Sequence, residues 1–99
     1  MDAETAEFFA GPHDGRLLTM QEIGRHCQLL KVTNQDEERL FVLMPSILEW
    51  NRVVDGKLPK VGPFDVIYAY ELLQTAKGPA LLLRGADEFS RAGGDLEVN

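Results

Sequence analysis

Two histidines, one cysteine and a short run of acids are the side chains in this 99-residue chain that could do chemistry. His13 and Asp14 lie side by side in "FFAGPHDGRLL", residues 8–18. A histidine with an orienting carboxylate is the general-base half of a hydrolytic site. Adjacent side chains on an extended strand or a turn diverge, however, and working triads join residues far apart in sequence. The pair is therefore read as part of a turn, with Asp14 bonding local backbone N–H groups and His13 exposed. His26 and Cys27 are adjacent in the same unfavourable way. Cys27 reads as a small buried hydrophobe and His26 as a surface residue. Asp36, Glu37 and Glu38 could pair as glycosidase carboxylates, but three consecutive acids read as a solvated loop tip. No C-x-x-C, H-x-x-x-H or calcium-loop spacing is present, and neither "GPHDG" nor "RAGGD" matches a phosphate-binding loop. The motifs thus assign no catalytic residue, no metal ligand and no cofactor.

The elements that must position these residues follow from turn signals and periodicity. "EFFA" and "RLLTM" flank "GPHDG", and Asp-Gly favours a hairpin because glycine accepts positive φ, so residues 6–20 read as a β-hairpin. Thr19 and Glu22 have capping-box spacing, while Gly24 opposes a helix. The expectation is a turn or a short helical turn near 20–25. A strand at 26–33 then pairs with one at 39–44 around "NQDEE". "PSILEWNRVVDG" reads as a short helix starting at or near Pro45 and ending before Gly56, with Ile47, Trp50, Val53 and Val54 on one side. "KLPKVGP" is a loop.

"FDVIYAYELLQT" fits either element. In strand register Phe64, Val66, Tyr68, Tyr70 and Leu72 share a face; in helical register Glu71, Gln74 and Thr75 form a polar face. Aromatic and β-branched residues favour the strand, with "ALLLRG" as its antiparallel partner beyond the turn "AKGP". Helix against strand stays open for 20–32 and 64–77. The expected fold class is α+β, mainly antiparallel β, with about three hairpins and one short helix. It forms a single small domain over residues 1–99, with 1–5 and 90–99 as frayed tails.

"FFAGPHDGRLL" resembles the opening of a group of small uncharacterised proteins from bacteria and their phages. Their N-terminal hairpin reads roughly Phe-x-Gly-Gly-Pro-x-Asp-Gly. A later Tyr-x-Tyr strand, followed by a second strand ending near a glycine, is similar to "YAYELLQTAKGPALLLRG" here. Ala10 stands where the group usually has its first glycine, and residues 20–62 have no counterpart. The resemblance implies a small β-rich domain and no activity.

Charge and composition narrow the partners. The chain carries a net charge of −6, but its two ends hold all of it and residues 8–86 sum to zero. A neutral body with acidic ends has no basic patch for nucleic acid. No apolar run is long enough to span a membrane. An acidic start lacks the basic and apolar regions of a secretory signal, and a lone cysteine forms no internal disulfide, so the expected compartment is the cytoplasm. Trp50, Tyr68 and Tyr70 are the candidate interaction surface, for a protein partner or a second copy of the chain. A sheet edge is another route to a homo-oligomer. The sequence is thus read as a non-enzymatic interaction or structural domain, of a kind associated with phages or mobile elements. The alternative is a small hydrolase or metal-dependent enzyme using His13, Asp14, His26 and Cys27.

Overall fold

The computed structural model describes residues 4–88. The expected tails at 90–99 and at residues 1–3 lie outside the described residues. Among the described residues six strands form one sheet: β1 (Thr5–Phe9), β2 (Leu17–Thr19), β3 (Gln28–Asn34), β4 (Glu37–Met44), β5 (Val66–Thr75) and β6 (Gly78–Glu88). Two helices, α1 (Met20–His26) and α2 (Ile47–Val54), interrupt them. The fold is α+β, as expected.

The strand order is β2-β1-β6-β5-β4-β3. Three antiparallel hairpins, β1–β2, β3–β4 and β5–β6, match the expected ones, and β4 pairs antiparallel with β5. The β1–β6 pairing is parallel, through Glu7↔Ala80, Phe8↔Leu81 and Phe9↔Leu82. The sheet is therefore mixed. A parallel contact between the first and last strands is a long-range pairing that no turn signal announces.

A second correction is the helix count. Thr19 and Glu22 close a complete capping box: the Thr19 hydroxyl accepts from the Glu22 N–H at 3.1 Å, and Glu22 Oε1 accepts from the Thr19 N–H at 2.9 Å. These bonds satisfy end groups that outweigh the cost of Gly24, so α1 is a seven-residue helix. The cap of α2 is Ser46, one residue after Pro45, and Gly56 follows its end at φ +78°. Thr5, expected in the tail, begins β1.

The alternation of each strand sorts side chains onto two faces. One face gathers Ala6, Phe8, Leu18, Val42, Met44, Tyr70 and Leu81 beneath Ile23 of α1 and Trp50 of α2. The other gathers Phe41, Leu43, Ile67 and Ala69 with Val53 of α2 and Phe64. Tyr68, Tyr70 and Leu72 do share a face, but Phe64 precedes β5 and packs with the opposite cluster. Of the expected apolar stripe on α2, Trp50 and Val53 are buried, while Ile47 and Val54 are largely exposed.

Candidate functional site

The loop joining β1 to β2 carries His13 onto the face under the helices and leaves Asp14 exposed. Ala10, Gly11 and Gly15 all adopt positive φ, at 74°, 70° and 83°. At Gly11 a Cβ would stand 2.8 Å from both Leu83 Cδ2 and the Tyr70 hydroxyl, so only glycine lets the loop approach the sheet this closely. Asp14 closes the turn locally: its Oδ1 accepts from the Ala10 N–H at 2.7 Å. The Gly15 N–H donates to the Phe8 carbonyl at 2.8 Å, and the Phe8 N–H to the Arg16 carbonyl at 2.9 Å. The turn and the local role of Asp14 match the sequence reading.

His13 does not. It is 1% exposed, among the most buried side chains of the domain. Its Nε2 lies 2.7 Å from the Pro45 carbonyl oxygen, and the Arg16 Nε–H donates to its Nδ1 at 3.0 Å. A carbonyl accepts only and a guanidinium donates only, so the ring is fixed as the neutral Nε2–H tautomer. Burial holds its pKa below the ordinary value, and the Arg16 charge adds to that, against the opposing bond to Pro45. Sequence reasoning placed His13 in solvent because turn residues usually are; the glycine-permitted fold of the loop turns it inward instead.

Tyr70 locks the loop from below. Its hydroxyl donates to the Ala10 carbonyl at 2.8 Å and accepts from the His13 N–H at 3.3 Å. Its ring meets Phe8 edge-on at 5.0 Å, and His13 stands edge-on to Trp50 at 6.2 Å. The Arg16 guanidinium lies 5.5 Å from the centre of the Trp50 ring, and His26 packs edge-on against that ring at 6.1 Å. The cluster joins the β1–β2 loop, the β4–α2 junction and β5 through hydrogen bonds, and α2 through the ring contacts of Trp50. Among the described residues no buried side-chain nitrogen or oxygen lacks a partner.

The residues of the hydrolytic alternative each have separate partners. Asp14 bonds Ala10, His13 bonds Pro45 and Arg16, and His26 rests on Trp50. Cys27 is buried with its Sγ 3.4 Å from Met44 Sδ. Burial pushes its thiol up to about 12, the direction opposite to that of a reactive thiolate. Among the described residues no group of three or more His, Cys, Asp or Glu gathers to hold a metal ion.

Of the residues expected at an interaction surface, Trp50 and Tyr70 are 2% and 0% exposed. Their aromatic area is used in the core, so neither offers a surface; Tyr68 alone is partly exposed.

The opposite face holds a charged cluster that sequence reasoning missed. Glu71 is 8% exposed and accepts two bonds from Arg39, Nε to Oε2 and Nη2 to Oε1, each 3.0 Å. Arg84 Nε donates to the same Oε1 at 2.8 Å. Arg84 is the extra residue of a β-bulge, since Ala69 pairs with Gly85 and Tyr70 with Leu83. The Arg39 bonds lead the effects that hold the Glu71 carboxyl below its ordinary value. The signal lay in "YAYELL", where a lone acid interrupts an apolar strand. Beyond this cluster Phe9 and Leu17 stay 40% and 61% exposed. They line a groove of about 430 Å³ with Glu7, Thr75, Lys77 and Pro79.

The chain matches no family model, no curated protein and no solved structure. No described helix is long and apolar enough to cross a membrane.

Proposed function

We propose that the protein is a non-enzymatic interaction domain that works through the exterior of its sheet. The observation that carries the reading is the contrast between a fully engaged His13 and the exposed Phe9 and Leu17. The most chemical residue of the chain has both ring nitrogens committed to structure and no access to solvent. Phe9 and Leu17 instead present apolar area beside the charged rims Glu7 and Lys77, a mixture typical of protein contacts. The neutral body of the chain favours a protein over a polyanion. We place it in the cytoplasm, where its single buried thiol stays unpaired.

The test is site-specific photo-crosslinking in the cell that expresses the protein. A benzophenone side chain at position 9 or 17 is expected to give discrete protein adducts, and one at the exposed Lys57 is not. Adducts at all three positions alike, or at none, would overturn the reading.

A further inference from the structure

The two edges of the sheet differ. The β2 edge is three residues long. The β3 edge, Gln28–Asn34, is seven residues long, pairs with β4 in unbroken register, and contains no proline and no bulge. Unpaired N–H and C=O groups along such a strand are a template for another strand, and monomeric proteins blunt them with prolines, bulges or charged side chains. Here the one charge is Lys31, whose 60% exposed side chain pairs with Glu38 of β4 at 3.2 Å, so a single charge guards seven residues of edge. Leu29 on the same face is 46% exposed. On the other face Leu30 and Val32 are only partly buried, so the Phe41–Leu43 cluster ends open at this edge.

We infer that β3 pairs antiparallel with β3 of a second copy, joining two sheets into one across a two-fold axis. This rests on the reading of the protein as an interaction domain. A second copy fits because the strand is self-complementary in one register. A two-fold axis normal to the sheet opposes residues that point to the same face, so the axis passes at Leu30, Lys31 or Val32. Centring on Lys31 opposes it to its own copy, a destabilising like-charge pair. Centring on Val32 leaves Leu29 outside the pairing. Centring on Leu30 opposes Leu29 to the partner's Lys31, whose aliphatic stem covers it. It also sets Leu30 against the partner's Leu30, which continues the Leu30–Phe41 layer.

The register makes substitutions at one exposed position act in opposite directions. Leu29→Glu creates two Glu–Lys pairs per dimer, and Leu29→Lys creates two Lys–Lys pairs. Light scattering over a concentration series is expected to show a wild-type dimer, tightened by L29E and weakened by L29K. The two dissociation constants should differ by roughly tenfold or more. Thermal melts confirm that both variants fold. A wild-type monomer at every concentration, or equal effects of the two variants, would overturn the inference. A monomer that still crosslinks through positions 9 and 17 removes this inference alone and leaves the domain reading in place.

Discussion

The two faces of the sheet handle buried polarity in different ways. Under the helices, His13, Tyr70 and Arg16 each bond a partner that is distant in sequence or held by a strained loop, and these bonds fix where the loop lies. On the opposite face the Glu71 carboxylate is held by both Arg39 and Arg84 across neighbouring strands that the ladder already holds in register. Apolar contact is non-directional, so a loop packed by it alone has many acceptable poses. A satisfied polar network selects one of them. The face that holds the β1–β2 loop, the covered face, thus uses polar groups to specify a tertiary arrangement, whereas the Glu71 face, open around Phe9 and Leu17 and closed by Val53 and Phe64 at its other end, uses them to keep charge on an apolar strand without leaving it unpaired. Damage to the first should unravel packing, and damage to the second should stay local.

The largest effect is expected at Trp50, where α2, the loop and α1 meet. Trp50→Ala removes the ring that His13, His26 and Arg16 all contact, and should lower unfolding free energy by about 3–5 kcal/mol. Phe9→Ala, on the open face, should cost about 1 kcal/mol or less because the ring is already 40% exposed. Urea denaturation of the pair sets the contrast. Similar losses in the two variants would mean that the faces do not differ in the way described.

His13 sharpens the contrast through pH. Its folded pKa lies below the ordinary value of 6.5, so between those two values the unfolded chain binds the additional proton. This contribution to stability is therefore full above the unfolded value and falls as the pH drops below it. Glu71 behaves differently: its folded pKa lies below the ordinary 4.5, so its contribution persists until the medium is more acidic than that. Acidification from neutrality should thus weaken the covered face first. His13→Gln should cost about 1–3 kcal/mol at neutral pH, because the Pro45 carbonyl and Arg16 lose a fitted partner. It should also flatten the stability profile as the pH falls below the ordinary histidine value of 6.5. A variant that keeps the wild-type slope in that window would assign the slope to another group.

Local features were legible in the sequence where one interaction decides them. "PHDG" signals a hairpin and Cys27 a buried apolar thiol, and both are found; the capping-box spacing of Thr19 and Glu22 is equally local, but Gly24 tips the reading toward a turn where the structure has a full helix. What was not legible depends on distant partners. The parallel contact of β1 with β6 joins strands more than 70 residues apart, and its pairing residues, Phe8 and Leu81 among them, are ordinary apolar residues. His13 was placed in solvent because its burial depends on the Tyr70 hydroxyl and the Pro45 carbonyl, neither of which a local pattern reveals. Trp50 and Tyr70 carry the aromatic character of both a core and an interface, and only the fold decides between them. Phe9 and Leu17 were hidden for the converse reason: each lies beside an inward neighbour, Phe8 and Leu18, that accounts for the apolar run by itself.

The smallest effect concerns Arg84. Glu71 keeps its two bonds from Arg39 when Arg84 is removed, and the Arg84 side chain is 40% exposed, so solvent screens what it contributes. Arg84→Ala should therefore cost less than about 1 kcal/mol, and the loss should shrink further in high salt. Arg39→Ala should cost more, because it removes the two-bond clamp and leaves a carboxylate that is 8% exposed with a single cation. Urea midpoints for both variants at low and high salt test the ordering. If Arg84→Ala matches Arg39→Ala, the bulge that delivers Arg84 to Glu71 is holding the sheet together, and the open face is under the same kind of tertiary control as the covered one.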